Sequence, residues 1–376
     1  MIPVGNKPIL EYVVNALQQS GIVDLIMVVG YKREKIMDHF GDGHAWGVNI
    51  QYVEQTPQLG TAHALRQVSH LIKDHFIVIN GDTIVSPSAI KEMTRYKVGD
   101  AAILTVNVDT SQSYGVVNAH NGVVKNIHEK PKGDDFGNTV NAGVYKFSPR
   151  IFEFLEFMEI SERGDYEITD AIKKMIREEY SVRAIHSDAI WMDAPHPWDL
   201  LKLNATTLAA QKPEVRGTVE PGVEIKGPVY VGENTTIRSG SYIVGPVSIG
   251  DNCEIGPNAV IMHNTSIGSN CTIDPFTRIS DSIIMSNVRV SSFSHMSRSI
   301  IGEGVNLGPQ FLAESGNTKT VLEDRLVPAN VGAMIGDNCD IAGRVLTQPG
   351  VIVGVRCRIG SGNVVGMNMP DNMRIL

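Results

Sequence analysis

The residues best placed for chemistry stand directly after three predicted strands, where loops of polar and small side chains begin. The first loop, residues 54–62, reads E-Q-T-P-Q-L-G-T-A, the second, N-G-D, occupies residues 80–82, and the third, W-M-D, occupies residues 191–193. Ligands of open α/β sheets bind beyond the carboxyl ends of the strands, so these loops predict a binding site. An aspartate in such a loop is most often a turn or helix cap, but carboxylates from two strand ends also offer hard oxygen ligands to a cation.

The segments that must position these loops alternate between strand and helix patterns. Strands are predicted at 24–29, 48–53, 76–80 and 101–106, and helices at 32–40, 61–71, 87–96, 149–158, 165–179 and 197–211. This alternation predicts a parallel or mostly parallel sheet with helices on both faces. From Tyr114 the pattern changes to short turns and hairpins.

The second half of the chain repeats an aliphatic residue every six positions. The repeat runs from Val231 to Ile279 without a break and resumes from Ile335 to Val365, with Thr347 as the one exception. A small or slim side chain stands two positions before each aliphatic residue of the first run. A six-residue period is typical of a parallel β-helix, in which three short strands form a coil and each coil stacks on the one below.

All four cysteines occupy the small position of this repeat. They are Cys253, Cys271, Cys339 and Cys357, and no two of them form a C-x-x-C pair. The absence of that spacing argues against a zinc site. We therefore expect the cysteines to be small residues of a buried core.

Length and composition limit the classes of protein to consider. A chain of 376 residues predicts two domains, and the Pro- and Gly-rich stretch after Gln211 places them at residues 1–212 and 213–376. The net charge of -8 gives no basic surface for a nucleic-acid partner. The apolar runs are too short to span a membrane, and the chain does not begin with a signal peptide pattern, so we expect a cytoplasmic protein without a membrane partner.

Seven short motifs in the first domain carry a resemblance to a known family. In chain order they are V-G-N-K-P-I-L, E-Q-T-P-Q-L-G-T-A, N-G-D, Y-G-V, E-K-P, N-A-G-V-Y and W-M-D-A-P-H-P-W-D-L. With these motifs the chain resembles the sugar-1-phosphate nucleotidylyltransferases, especially archaeal bifunctional members and glucose-1-phosphate thymidylyltransferases with a β-helix tail. The resemblance implies an α/β fold, with a Rossmann-like mixed-sheet nucleotidyltransferase domain followed by a left-handed parallel β-helix domain.

The reaction that the resemblance implies joins a nucleoside triphosphate to a sugar 1-phosphate. An oxygen of the sugar phosphate attacks the α-phosphorus, and pyrophosphate leaves without a covalent enzyme intermediate. Catalysis then depends on positioning and on neutralisation of phosphate charge by Mg²⁺ and basic groups. The motifs favour a pyrimidine nucleotide, UTP or dTTP. Asp82 and Asp193 match the catalytic carboxylates that hold the Mg²⁺, the alternative for each being a turn or helix cap.

The resemblance also assigns the nucleotide and sugar-phosphate sides of the site. The implied nucleotide-binding residues are Gln55, Gly60, Thr61 and Gly81. The implied sugar-phosphate-binding residues are Gly115, Glu129, Lys130, Asn141 and Gly143, and Lys7 matches a catalytic lysine of the family. The side chain of Gln55 offers a donor and an acceptor to a pyrimidine edge. The structural alternatives are a plain loop with a threonine cap at Thr61, a solvated charged turn at Glu129 and Lys130, and a structural role for Lys7.

The resemblance is incomplete at the start of the sequence. The family opens with a strand, a G-x-G-T-R-x-x-P loop and a P-K pair, whose amides and charges hold the triphosphate. None of these motifs precedes V-G-N-K-P here, and without them we expect useful activity to be lost. Two explanations are open. Met1 is an internal methionine of a longer protein, or the chain is an inactive relative. Such a relative would be a regulatory or assembly subunit that binds nucleotide sugars without catalysis.

A second departure lies in the repeats. Bifunctional relatives acetylate an amino-sugar phosphate with a stretch like S-H-F-S-Y-x-G-D, whereas residues 291–297 read S-S-F-S-H-M-S. Ser292 stands at the position of the histidine base, and His295 replaces the aromatic residue. An N-acetyltransferase acting on an amino-sugar phosphate is therefore a second alternative function. We expect the repeats chiefly to stack and to support a homo-oligomer, such as a trimer.

Overall fold

The computed structural model describes residues 1–97, 99–131, 136–161, 163–322 and 325–376. The chain divides into two compact units. The first unit contains Met1 and Ile9–Pro195, and the second contains Ile2–Pro8 and His196–Leu376. The predicted domain boundary after residue 212 remains a prediction. The helix Asp199–Ala210 lies before that boundary in sequence but groups with the second unit by its contacts.

Helices and longer strands are concentrated before residue 211. The helices are α1 (Ile9–Gln19), α2 (Arg33–Phe40), α3 (Thr61–Arg66), α4 (Pro87–Arg95), α5 (Ile151–Glu156), α6 (Ile168–Arg177) and α7 (Asp199–Ala210), with a 3₁₀ turn at His44–Trp46. The strands are β1 (Pro3–Val4), β2 (Lys7–Pro8), β3 (Asp24–Val29), β4 (Asn49–Glu54), β5 (Phe76–Ile79), β6 (Ile84–Val85), β7 (Ala101–Asn107), β8 (Gly115–His120), β9 (Val123–Glu129), β10 (Thr139–Phe147), β11 (Val182–His186) and β12 (Trp191–Met192).

Six strands of the first unit form one mixed sheet in the order β5-β10-β7-β11-β9-β8. Strands β7 and β11 pair in parallel, whereas β10 runs antiparallel to both β5 and β7. The mixed sheet implied by the resemblance is confirmed. The expectation of a mostly parallel sheet is wrong, because β8, β9 and β10, which follow Tyr114, add antiparallel pairs to it. Strands β3 and β4 form a separate parallel pair.

Local sequence patterns explain where most of these elements lie. In α6 the buried residues Ile168, Ala171, Ile172 and Met175 recur at the three- and four-residue spacing of one helix face. Strand β7 is buried over its first six residues, as expected for a strand inside a covered sheet. Helix α3 ends at Arg66, five residues before its predicted end. Among the described residues, no helix is both long enough and apolar enough to cross a membrane.

The second unit contains three parallel sheets that form the faces of a β-helix. The first face contains Glu214–Val215, Val229–Val231, Val247–Ile249, Thr265–Ile267, Ile283–Ile284, Ile300–Ile301, Met334–Ile335 and Ile352–Val353. The second contains Thr218–Val219, Thr236–Ile237, Glu254–Ile255, Thr272–Ile273, Arg289–Val290, Asn306–Leu307, Asp340–Ile341, Arg358–Ile359 and Arg374–Ile375. The third contains Glu224–Lys226, Tyr242–Val244, Val260–Ile261, Arg278–Ser280, His295–Ser297, Leu312–Ala313, Leu346–Thr347 and Val364–Val365.

The six-residue columns predicted from the sequence form the core of this β-helix. Ile237, Ile255 and Ile273 stack in register on one face and are fully buried. The gap between the two runs of the repeat contains an antiparallel hairpin, Gly316–Leu322 with Arg325–Val331. The parallel β-helix is therefore confirmed, while its left-handedness stays a prediction.

The four cysteines lie in this core, as predicted from their position in the repeat. All are buried and none forms a disulfide. Each thiol points at a backbone carbonyl of the next coil, as Cys339 does at Gly354 O, 3.0 Å away. Burial raises the pKa of the Cys339 thiol to about 11, so this sulfur stays protonated at neutral pH.

Residues near the start of the chain belong to the second unit through specific hydrogen bonds. The amide of Gly5 donates to Oδ1 of the buried Asn204 at 2.8 Å. Nδ2 of Asn6 donates to the carbonyls of Ser248 and Ile267 at 3.2 and 2.8 Å. Two residues of the V-G-N-K-P motif therefore have structural roles, in fastening this segment to α7 and to two coils.

Candidate functional site

The two predicted metal carboxylates lie at the same end of a two-stranded pair. Strands β6 and β12 are antiparallel, with Met192 opposite Ile84. Continuing that register by one residue places Asp193 across from Thr83, the immediate neighbour of Asp82. Asp82 is exposed and Asp193 is half-buried, with its Oδ1 accepting the amide of Ala194 at 2.8 Å. The fold therefore brings two segments that carry carboxylates 111 positions apart in the sequence to the same end of one strand pair.

Three residues of the predicted sugar side also come together. Gly115 in β8 pairs directly with Glu129 at the end of β9. A Cβ on Gly115 would lie 2.9 Å from Oε2 of Glu129 and 3.7 Å from Cβ of Asn141 in β10. The missing side chain at Gly115 therefore leaves the space in which the Glu129 carboxylate lies, so these two motif residues are coupled sterically.

Asn141 is held by contacts within its own strand. Its Nδ2 donates to the hydroxyl of Tyr145 at 2.7 Å, and its Oδ1 accepts the amide of Gly143 at 3.0 Å. Gly143 has a φ of +70°, and a Cβ there would meet Nδ2 of Asn80 at 2.7 Å. The irregular pairing of β10 between Asn141 and Tyr145 creates this arrangement. It leaves Asn141 one N–H and one lone pair for a ligand.

Charged groups around Glu129 extend the site toward α6. Nη1 of Arg163 lies 3.7 Å from Oε1 of Glu129 and 3.0 Å from Oε1 of Glu167. Burial raises the pKa of Glu167, and the nearby Glu129 charge raises it further. In the same region, burial strongly raises the pKa of Tyr145, which keeps its hydroxyl protonated. The site therefore offers neutral donors and a carboxylate balanced by Arg163, a combination suited to hydroxyl groups of a sugar.

Several residues of the loop after β4 make contacts that stabilise the fold. Gly60 has a φ of +101°, and a Cβ there would meet the carbonyl oxygen of Tyr166 at 2.6 Å. The hydroxyl of Thr61 accepts the amide of Ile168, the first residue of α6, at 3.1 Å. The backbone geometry therefore explains why residue 60 is a glycine, and the contact with α6 explains the hydroxyl of Thr61, without a ligand. Gln55 is buried, and its Nε2 donates to the carbonyl of Gly60 at 3.0 Å.

The remaining predicted residues lie in more exposed positions. Gly81 precedes Asp82 in a turn, and both are exposed. Lys130 is exposed with a φ of +41°, and its amide donates to the carbonyl of Tyr114 at 3.0 Å. Lys7 is exposed in β2 and belongs to the second unit, while the other eleven predicted site residues belong to the first. The assignment of Lys7 to the same site therefore stays a prediction.

Three side chains at the site were not predicted from the sequence. Tyr145 is the last residue of the N-A-G-V-Y motif, so a signal for it was present. His63 follows Thr61 by two positions and contacts the Gln55 amide, with Nδ1 3.0 Å from Nε2. Arg163 lies in a polar loop whose sequence has no distinguishing pattern, and only the fold places it beside Glu129.

Comparison with known proteins assigns the chain to a family. The sequence profile described as nucleotidyl transferase matches residues 1–210, which is more than half of the chain. The chain belongs to the nucleotidyl transferase family. A second profile, described as the GMPPB C-terminal domain, matches residues 243–327 within the β-helix.

Relatives named as bifunctional proteins align with nearly the whole chain. The bifunctional protein GlmU of Methanococcus maripaludis strain C7 is 39% identical over 99% of this chain and 90% of its own length. The bifunctional sugar-1-phosphate nucleotidylyltransferase/acetyltransferase of Sulfurisphaera tokodaii is 31% identical over 98% of this chain and 92% of its own length. Both alignments extend over the nucleotidyltransferase part and the β-helix of this chain, and the name of the S. tokodaii relative places this chain among relatives of sugar-1-phosphate nucleotidylyltransferases.

A solved structure supports the fold of the nucleotidyltransferase part. The crystal structure of UDP-glucose pyrophosphorylase complexed with UDP-glucose aligns with a TM-score of 0.50 at 22% identity. The alignment covers 56% of this chain and 90% of the other. At this level of identity the likeness concerns the fold alone.

Proposed function

We propose that this nucleotidyltransferase joins UTP or dTTP to a sugar 1-phosphate and releases pyrophosphate. The observation that supports the proposal is the antiparallel pairing of β6 with β12, because Asp82 and Asp193 lie just beyond the same end of this strand pair in the first unit. A phosphate oxygen of the sugar attacks the α-phosphorus as the bond to the pyrophosphate leaving group breaks. The protein has to align the two substrates and offset their negative charge.

The other site residues divide between the two substrates. Gln55 at the end of β4 is proposed to contact the base, and the exposed turn at Gly81 lets phosphates approach Asp82. Glu129 and Asn141 are proposed to bind sugar hydroxyls, with Gly115 giving clearance to the carboxylate. Lys130 is proposed to attract the phosphate of the sugar, and the role of Lys7 as a catalytic lysine stays a prediction.

The donor set fits a magnesium ion. Among the described residues, no group of three or more potential ligands from His, Cys, Asp and Glu comes together. Mg²⁺ commonly binds one or two carboxylates and takes its other oxygens from substrate phosphates and water, so Asp82 and Asp193 suffice to hold it. When bound, the ion would neutralise phosphate charge at the reacting centre.

An assay of pyrophosphate release tests the proposal and separates it from a non-catalytic role. The purified chain is incubated with UTP or dTTP, Mg²⁺ and either glucose 1-phosphate or N-acetylglucosamine 1-phosphate, and the nucleotide sugar is identified by mass. Turnover that requires both substrates supports the proposal and contradicts the expectation that useful activity is lost without the G-x-G-T-R-x-x-P loop and the P-K pair. Calorimetric binding of nucleotide sugar without any turnover supports instead a regulatory or assembly subunit.

A second activity is suggested by the names of the relatives and by one histidine. The S. tokodaii relative is named an acetyltransferase as well. His295 is exposed on the third face of the β-helix, beside Arg278 of the coil before it, and burial and the Arg278 charge lower its pKa. A neutral imidazole suits a general base at neutral pH. Acetyl-coenzyme A turnover with glucosamine 1-phosphate, abolished in His295→Ala, would support acetyl transfer, and its absence would limit the β-helix to a structural role.

A further inference from the structure

His63 is a buried histidine whose two ring nitrogens both face glutamine amides. Its Nδ1 lies 3.0 Å from Nε2 of Gln55, and its Nε2 lies 3.0 Å from Nε2 of Gln67. Only 8% of the residue is exposed. Each ring nitrogen of a neutral histidine is either a donor or an acceptor. A buried histidine with a hydrogen-bond partner at both nitrogens therefore fixes the orientation of the two side-chain amides that contact it.

The orientation of the Gln55 amide follows from a backbone group. The carbonyl of Gly60 can only accept a hydrogen bond, so the amide atom 3.0 Å from it is the nitrogen Nε2. The second hydrogen of that nitrogen points to Nδ1 of His63. Both N–H groups of Gln55 are then used inside the protein. Of the described residues, none donates to its Oε1, which is left as the group that a ligand can meet.

The tautomer of His63 follows from the same contacts. Since Gln55 donates to Nδ1, that nitrogen carries no proton, and the neutral ring carries its proton on Nε2. Nε2 of Gln67 also donates to the carbonyl of His63 at 3.2 Å, a longer contact than the 3.0 Å bond that holds Gln55 to Gly60. Gln67 is half-buried, whereas Gln55 is buried, so we assign the turned amide, with its oxygen toward this N–H, to Gln67. Burial lowers the pKa of His63, and the Arg66 charge on the same helix lowers it further. Both effects favour the neutral ring.

The surroundings of the ring contain few other ionisable groups. Besides Arg66, the residues that line the cavity beside the ring are Ala62, Leu155, Met158 and Tyr166, whose ring centroid lies 6.3 Å from that of His63. Asp165 precedes Tyr166 with its Cβ beside Gly60, and it is not part of this lining. No carboxylate among them would stabilise a protonated imidazole. The neutral state is therefore set by the packing of α3 against α5 and the segment before α6.

We propose that His63 is a positioning residue for base selection: it locks Gln55 so that only the acceptor Oε1 faces the nucleotide. Uracil and thymine carry a donor at ring position N3, whereas cytosine carries an acceptor there. The locked amide then accepts N3–H of UTP or dTTP and opposes the lone pair of CTP. Without His63 the amide keeps only its bond to the Gly60 carbonyl, and the loss of the second contact lowers the cost of turning an N–H toward cytosine. This proposal rests on the proposed function, in which Gln55 contacts the base.

The experiment measures the ratio of kcat/KM for UTP to that for CTP at saturating sugar 1-phosphate and Mg²⁺. For the wild type we expect a ratio of about a hundred or more, because a site built around one hydrogen-bond pattern rejects the reverse pattern. His63→Leu should lower the ratio at least about tenfold, the loss of one hydrogen bond of about 1.4 kcal/mol. His63→Asn keeps an acceptor near the position of Nδ1 and should restore most of the ratio.

Two controls separate base selection from a purely structural role. Gln67→Ala removes a partner of His63 that does not contact Gln55, so the ratio should stay within about threefold of wild type. The wild-type ratio should also fall at acidic pH, beneath the ordinary titration range of histidine because burial and Arg66 lower the pKa of His63, since a protonated Nδ1 cannot accept from Gln55. The phosphates of UTP and CTP titrate alike, so their contribution cancels in the ratio. Protonated cytosine also carries an N3–H, so the same pH series in His63→Asn separates titration of the base from titration of His63.

Different outcomes overturn different parts of the proposal. If His63→Leu lowers thermal stability or kcat with both nucleotides while the ratio is unchanged, His63 is structural and the inference is wrong. A wild-type preference for CTP also contradicts it. If calorimetry detects no binding of UTP, dTTP or CTP to the wild type with Mg²⁺, the proposed function fails, and base selection by His63 fails with it.

Discussion

The two units of the chain position their side chains by different means. In the β-helix each core residue contacts its equivalents one coil before and one coil after it, as Ile255 contacts Ile237 and Ile273. In the first unit the site is held by single contacts between distant segments, such as Thr61 with Ile168. A change in the β-helix should therefore act on stability, whereas a change at the strand ends should act on activity.

The largest effect is expected at the carboxylate pair. Asp82→Asn should lower nucleotidyl transfer about 10²- to 10³-fold, since it removes a charge from the reacting centre. Asp82 is exposed, so the substitution should change the free energy of unfolding by less than about 0.5 kcal/mol. Steady-state pyrophosphate release and thermal unfolding measure the two quantities separately.

Asp188→Asn is the matched control for that substitution. Its carboxylate is 96% exposed and contacts His186 at 3.3 Å, five residues before Asp193. Activity of this variant should equal that of the wild type. A loss of less than threefold in Asp82→Asn, or an equal loss in both variants, would show that the strand-end carboxylates are not the centre of the chemistry.

The next effect is a loss of stability in the β-helix. Ile255→Ala should lower the free energy of unfolding by about 3 kcal/mol, because the fully buried side chain leaves a cavity between two coils. Hydrogen exchange of the β-helix amides would detect the loss, and KM for either substrate of the first unit should not change. Glu254→Ala, which removes only an exposed ion pair with Arg238, should cost less than about 1 kcal/mol. Equal losses in the two variants would contradict the stacked core.

The difference between repeated contacts in the β-helix and single distant contacts in the first unit explains which parts of the structure could be predicted from the sequence. The columns of the β-helix and the place of the cysteines follow from periodicity, because every coil repeats the environment of the last. The strand ends with Asp82 and Asp193 could also be located from local patterns. The antiparallel insertion of β10 could not, nor could the use of the Thr61 hydroxyl by Ile168, because each depends on a pairing with a segment far along the chain.

A smaller effect on activity is expected at Gly115. In Gly115→Ala the new Cβ would lie 2.9 Å from Oε2 of Glu129, and the flexible carboxylate would move away. We expect KM for the sugar 1-phosphate to rise about tenfold, equivalent to about 1.4 kcal/mol, with KM for the nucleotide unchanged. Gly99→Ala is the control, since a Cβ there meets no described atom within 4 Å. Equal rises in both KM values would indicate a disturbed fold instead of a displaced Glu129.

The smallest effect concerns a coil corner of the β-helix. Asn252 has a φ of +55°, and its side chain joins a ladder in which Nδ2 donates to Oδ1 of Asn270 at 3.3 Å. Asn252→Ala should cost about 1 kcal/mol, because alanine tolerates this left-handed conformation poorly. Asn252→Gly removes the same ladder contacts but relieves the backbone, so it should cost only a few tenths of a kcal/mol. Denaturant unfolding of both variants measures the loss of free energy of unfolding. A larger loss in Asn252→Ala than in Asn252→Gly is expected and assigns the effect to the backbone. Equal losses would show that the asparagine ladder stabilises the corner.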